Sequence, residues 1–347
     1  MLLLTDRTTL TTDDECRRRR YWYKEAEGGG IVPLQEAIEL IDGIDFHHDL
    51  ALVAEGKALD EILALIPNPA EDAPLSIRER WARRVGSVVA FHTWVWPTVS
   101  KDFKVEALEG ELILDRKPLL IATTPDAVLR HRRDNYLVVD DYKSFSGWDT
   151  TSWANHWPYA VQMHILLAAV AEEWREPVKY ARVRGIVKGR KDKGLLRHPY
   201  VWAYSNGEAV WQEAWKAGLE LRPTWEYPGG PAAYAGSRGL EVGMGLFPLS
   251  QPIFLNDTLL KQCVIQVMKR EEEIQDWRAG KLSLIETFPG SFERCRPIGM
   301  GRQCPYLEAC WNSSVGADPL GSGLYARRKP HHELELINLE DDHDEAD

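Results

Sequence analysis

Two aspartates and a lysine stand at a spacing that can do chemistry. TPDAV carries Asp126, and VVDDYKS carries Asp141, fifteen residues further on, with Lys143 two places after it. Residues two apart on a β-strand project from one face, so Asp141 and Lys143 would share a face. Asp126 is expected at the end of the preceding strand, and a hairpin would bring it beside that face. Two carboxylates and an ammonium in one pocket suit hydrolysis of a phosphodiester. The carboxylates can hold Mg2+ or Mn2+ through hard oxygen ligands. Such an ion activates water and neutralises charge building on the phosphoryl oxygens, while the lysine positions the water or stabilises that charge. Asp140 would point to the opposite face and take no metal role. A bare D…DxK is more often a surface salt bridge on a hairpin. Here the apolar run YLVV leads straight into the pair and marks a buried strand.

Thiols form the second reactive group. Of five cysteines, Cys295, Cys304 and Cys310 fall together in FERCRPIGMGRQCPYLEACW. Cys16, in ECRRRRYWYKE, is the natural fourth member of such a set. The start of the chain has no secretion signal, so a disulfide framework is not expected. Thiolates gathered in a loop bind a soft or borderline metal. Cys263 lies in an apolar helical stretch and reads as a core residue.

TPDAV, VVDDYKS and Gln162 of YAVQMHILLAA together resemble motifs II and III and the downstream glutamine of RecB-like PD-(D/E)XK nucleases. That glutamine is often followed four residues later by a tyrosine, where this chain has Leu166. GIDFH, Gly43 to His47, is similar to the family's GxxxH helix. The resemblance implies a restriction-endonuclease-like α/β core, a mixed sheet flanked by helices. It implies a metal held by His47, Asp126, Asp141 and the backbone carbonyl of Tyr142. Lys143 would handle the attacking water, and Gln162 would orient the site or touch substrate. Without the resemblance, His47 reads as a satisfied helix histidine, with His48 beside it as competitor.

CRRRRYWY and CPYLEAC resemble the two halves of the iron–sulfur subgroup of that family, which includes the AddB nuclease domain and small CRISPR-adaptation exonucleases. There an N-terminal cysteine joins three C-terminal ones around a [4Fe–4S] cluster, so Cys16, Cys295, Cys304 and Cys310 become cluster ligands by resemblance. The spacing departs from the more usual C-x2-C-x5-C, because eight residues separate Cys295 from Cys304. A four-cysteine zinc site and unrelated reduced thiols are the alternatives. The implied activity is exonucleolytic cleavage of DNA, single-stranded or with free ends, in recombination, repair or phage DNA metabolism. A non-catalytic DNA-binding or adaptor protein with the same fold and cluster is the alternative from another class.

The elements that must position these residues follow from pattern. Helices are expected from about Pro33 to Pro97, with Gly43 and Gly56 as C-caps. Strands are expected in VEALEGELIL, LLIATTPDAVLR and YLVVDDYKS, then an amphipathic helix from Trp153 to Trp174. Two further strands, YARVRGIVKG and PYVWAYS, flank a basic loop, and helices return at GEAVWQEAWKAGLEL and TLLKQCVIQVMKREEEIQDWRAG. This divides the chain into an N-terminal helical section (1–100), a nuclease core (101–205), a helical section with three cysteines (206–330) and an acidic tail (331–347).

Charge does not settle the partner. The 347 residues carry a formal net charge of −11. Eight acids and no Lys or Arg fall in the terminal ELELINLEDDHDEAD, a solvated extension that could dock a basic protein partner. Basic residues concentrate in Arg17–Arg20 and in the loop with Lys188, Arg190, Lys191 and Lys193, a hairpin tip suited to phosphate contact. Solvated faces are the bland reading of both clusters. The 14 tryptophans are an unusually large set. Trp22, Trp153 and Trp157 neighbour the candidate site elements and could stack on bases, although core filling is the better expectation for any one of them. No apolar run is long enough to cross a bilayer, so no membrane partner and a cytoplasmic setting are expected.

Overall fold

The structure is a computed structural model describing residues 3–6, 9–10, 13, 15–34, 38–70, 73, 77, 81, 84–85, 87–88, 91–145, 150–187, 190–192, 195–197, 201–203, 221–223, 249–291, 295 and 304–329. Lys188, Lys193, residues 207–220 of the expected helix GEAVWQEAWKAGLEL and the acidic tail lie outside these residues. In chain order the principal elements begin with β1 (Leu3–Asp6), α1 (Arg17–Arg20), β2 (Ile31–Pro33), α2 (Ile38–Ala54), α3 (Leu59–Ala64) and α4 (Trp96–Asp102). Then come β3 (Phe103–Leu108), β4 (Leu112–Arg116), β5 (Leu119–Thr123), β6 (Ala127–His131), β7 (Leu137–Phe145), α5 (Thr150–His156), α6 (Val161–Trp174) and β8 (Val178–Val187). Short strands β9 (Arg190–Asp192), β10 (Leu195–Arg197), β11 (Val201–Ala203) and β12 (Leu221–Pro223) precede α7 (Asp257–Arg278), α8 (Leu284–Thr287), α9 (Leu307–Trp311), α10 (Ser313–Ala317) and β13 (Tyr325–Arg327). They group into two compact units, one of residues 38–110 and 125–255, the other of residues 1–37, 111–124 and 256–347.

The first unit is built on a four-stranded mixed sheet in the order β3-β6-β7-β8. β7 is its central strand. Leu137, Val138 and Val139 are all fully buried, as a strand covered on both faces requires. β6 pairs with it antiparallel, with Ala127 opposite Asp140. β8 pairs with it parallel, which demands a crossover, and α6 lies on that crossover. The core gathers Phe46, Leu50 and Val53 of α2, Ile62 of α3, Phe91, Val95, Val99, and Leu129, Val138 and Tyr142 of the sheet.

Three expectations are corrected here. Gly43 is not a cap but lies inside the single helix α2, whereas Gly56 does follow its end with φ +85. LLIATTPDAVLR is two strands rather than one. Pro125 has no N–H for a ladder, so β5 ends at Thr123 and Asp126 immediately precedes β6 instead of closing a strand. The Trp153–Trp174 segment breaks at the turn Trp157–Tyr159, which contains Pro158. α6 is buried at every position from Met163 to Val170. It is therefore apolar all round, not amphipathic.

The second unit holds a three-stranded sheet, β1-β5-β4, and the antiparallel pair β2-β13. Its N- and C-terminal segments are tied by charge. The Arg20 side chain is only 1% exposed and makes two hydrogen bonds to Glu271 of α7, at 2.7 and 3.0 Å. Glu25, itself buried, lies 3.6 Å from Arg20 and 2.6 Å from Arg278. Of the rest of the Arg17–Arg20 run, Arg18 donates to the Phe288 carbonyl, while Arg17 pairs with Glu273 at the surface. Removing one partner of a buried pair strands the other charge at a cost of roughly 3–5 kcal/mol. Arg20→Ala is expected to lose that much in urea unfolding, while the double change Arg20→Met, Glu271→Leu recovers most of it. An unchanged midpoint in Arg20→Ala would refute the assignment.

Among the described residues no helix is long and apolar enough to cross a membrane.

Candidate active site

Asp140 and Asp141 are both fully buried on the central strand. Consecutive buried carboxylates need separate solutions, because their side chains leave opposite faces. Asp140 is met by Arg182 of β8 through two hydrogen bonds, the Nη2–Oδ2 one at 3.0 Å. Asp140 thus points away from the Asp141 face, as the two-residue period predicts. Asp141 faces the other way and is met by Lys143, whose Nζ lies 2.5 Å from Asp141 Oδ2 and 3.3 Å from the Tyr142 carbonyl oxygen.

The antiparallel register brings Asp126 alongside. Ala127 stands opposite Asp140, so Asp126 falls opposite Asp141. The Tyr142 N–H donates to Asp126 Oδ2, and His47 Nδ1 lies 3.0 Å from Asp126 Oδ1. His47 comes from α2, four residues after Gly43. Burial alone would push the Asp126 carboxyl up, yet His47, Lys143 and the Tyr142 amide hold it well below the usual carboxylate range. For His47, burial disfavours the imidazolium, and the charge and hydrogen bond of Asp126 outweigh it, so its pKa is raised. His47, Asp126, Asp141 and Lys143 therefore share one electrostatic site.

One residue there was missed by sequence reading. Glu109 follows β3, and Leu108 pairs with Ala127, which sets Glu109 opposite Asp126 on its other side. A donor atom from each of His47, Glu109 and Asp126 lies within 4.8 Å of the others. Burial first, then the Asp126 charge, raises the Glu109 carboxyl. Its signal was available: VEALEGELIL has a glutamate directly before the turn glycine. Reading that stretch as one strand hid it.

Imidazole nitrogen and carboxylate oxygens are the donor set of Mg2+ and Mn2+, so these residues fit a hard divalent cation. Gln162 sits half-buried in the first turn of α6. Among the described residues no hydrogen bond links it to Asp126, Asp141 or Lys143.

The four thiols of the second unit form their own group. The Cys304 N–H donates to the Cys295 carbonyl at 3.2 Å, and Trp22 Nε1 donates to Cys310 Sγ at 3.1 Å. Burial is the main reason the Cys304 thiol is pushed up, and the charges of Cys295 and Cys16 add to it. Cys310 is pushed up to about 11, by burial first and by Cys304 and Cys295 after it. Four thiols near enough to act on one another's charge are of the donor type that soft or borderline metals take. Trp22 and Trp157 are buried, as core filling requires. Cys263 is half-buried on α7. The basic tip is a hairpin, β9 paired antiparallel with β10, placing Arg190 opposite Arg197 and Lys191 opposite Leu196.

No curated protein matches the chain. A family model described as the PD-(D/E)XK nuclease superfamily matches residues 8–311, most of the chain and all of the residues above. The central strand with Asp141 and Lys143, the facing Asp126 and the long match together place the chain in the PD-(D/E)XK nuclease superfamily.

Proposed function

We propose that the chain is a Mg2+- or Mn2+-dependent deoxyribonuclease that degrades DNA from ends or along single strands. The observation that carries this reading is the convergence of His47, Asp126, Asp141 and Lys143 at one end of a buried sheet. His47, Asp126, Asp141 and the Tyr142 carbonyl would hold the ion. Bound there, it supplies Lewis-acid stabilisation of the scissile phosphate and lowers the pKa of a water molecule. Lys143 Nζ orients that water and stabilises the charge that develops on the phosphate oxygens. Buried Val138 and Val139 hold the strand fixed, so the charges are preorganised. Recombination, repair or phage DNA metabolism is the setting such an activity serves, a step that rests on family analogy.

Cys16, Cys295, Cys304 and Cys310 would hold a [4Fe–4S] cluster in the second unit, with zinc as the alternative occupant. The matched span, residues 8–311, encloses all four. The β9–β10 hairpin, with Arg190 and Lys191, would touch phosphate. Charge reversal at these two positions should lower DNA affinity and flatten its dependence on salt, by about one unit of slope for each phosphate no longer neutralised. Equal salt slopes in wild type and variant would remove the hairpin from the interface.

The deciding experiment uses anaerobically purified protein and end-labelled linear DNA, single- and double-stranded, beside closed circular DNA. Degradation of the linear substrates with Mn2+, with the circle spared, supports the reading. Cleavage of the circle would overturn the requirement for ends but keep the nuclease. No cleavage of any substrate with either ion would overturn both.

A further inference from the structure

Asp126 has acidic neighbours on both sides. β6 runs between β3 and β7, and the two registers set Glu109 on one side of Asp126 and Asp141 on the other. Carboxylates at or beside the ends of three adjacent strands thus line up along one end of the sheet. The RecB-like motifs use only two of them. Glu109 is the outermost, exposed on the turn before Gly110, while Asp126 and Asp141 are buried. Among the described residues no Lys or Arg forms an ion pair with Glu109. A ligand atom of its carboxylate lies within 4.8 Å of ligand atoms on His47 and Asp126.

The backbone at Glu109 is also informative. Its φ is +46, in the left-handed region where glycine is the undemanding choice. Glycine follows it directly, at position 110, so the turn has a glycine at hand but puts a glutamate in the left-handed place. A residue kept only to make the turn would not need a carboxylate there.

We infer that Glu109 is a third carboxylate ligand of the active-site cation, reaching it from the solvent side opposite Asp141. This rests on the nuclease reading above. The extra ligand raises affinity for the divalent ion without contributing to the attack on phosphate. Its loss therefore acts on the metal concentration required and not on the maximal rate.

The test is Mn2+ binding to the full chain without DNA, followed by electron paramagnetic resonance of the free ion, for wild type, Glu109→Gln, Glu109→Gly and Asp126→Asn. Glu109→Gln should weaken Mn2+ binding by roughly tenfold or more, on the scale seen when carboxylates supporting a metal site are removed. The Mn2+ needed for half-maximal cleavage should move by the same factor, with the rate at saturating Mn2+ largely kept. Glu109→Gly should weaken binding equally and melt no lower than wild type, because glycine relaxes the left-handed turn. A residue that merely shapes the turn would leave Mn2+ affinity unchanged. Unchanged affinity in both Glu109 variants, with binding lost in Asp126→Asn, overturns the role of Glu109 and leaves the nuclease reading standing. Mn2+ binding that survives Asp126→Asn, or is missing from wild type, overturns both.

Discussion

Lys143→Ala is expected to abolish metal-dependent cleavage of DNA while the protein still folds and still binds Mn2+. Lys143 is partly exposed, yet its Nζ is held 2.5 Å from the fully buried Asp141 and 3.3 Å from the Tyr142 carbonyl. A charge preorganised beside the reacting phosphate acts in a place shielded from water. Removing one such group costs on the order of 10²–10³ in rate, and a lysine that also positions the water should reach or exceed the upper end. Metal binding should persist, because the proposed donors His47, Asp126 and Asp141 are untouched and a competing ammonium has gone. Lys143→Arg should not restore the rate, since the planar guanidinium cannot occupy the place of a compact ammonium. Single-turnover cleavage, Mn2+ binding and thermal melting are measured on the same preparations. Wild-type cleavage by Lys143→Ala would remove this lysine from the mechanism.

Cys16→Ser is expected to eliminate the iron–sulfur chromophore altogether. Wild type, purified without oxygen, should carry about four iron atoms per chain and Cys16→Ser close to none. Cys263→Ser, changed away from the thiol group, should keep the full content. The consequence for the fold is large as well. Cys16 and Cys310 belong to opposite ends of the chain but to one compact unit. A metal bound only by the folded form adds its binding free energy to stability, roughly 10 kcal/mol or more for structural sites. Limited proteolysis should therefore open the second unit of Cys16→Ser first. Full iron content in Cys16→Ser would refute the ligand assignment. Stoichiometric zinc in wild type, with no iron, would select the zinc alternative.

The motif residues were legible because their relation is local. Asp141 and Lys143 share a face by the two-residue period of a strand, and Asp140 is turned away by the same rule. The apolar run before them announced a buried strand, and Gly43 to His47 is one turn of a helix. These statements need nothing beyond neighbouring residues. The helix over TLLKQCVIQVMKREEEIQDWRAG was equally plain and is α7.

Several features depended on pairings that no local pattern encodes. Glu109 lies in the turn between β3 and β4, and only the β3–β6 register sets it beside Asp126. Arg20 reads in sequence as one of four solvated arginines, and it is Glu271, some 250 residues away, that takes it into the interior. The break at Pro125 was written in the sequence, but which side of it Asp126 joined was decided by pairing with β7. Likewise the apolarity of α6 was visible, while its enclosure on every side was not. Periodicity fixes which side chains share a face, because that follows from backbone geometry over a few residues. Which faces meet, and which charges lose their water in meeting, is set by the packing of distant segments. For this protein the sequence determined the chemistry on offer at Asp126, Asp141, Lys143 and the four cysteines. The tertiary structure decided who stands beside them.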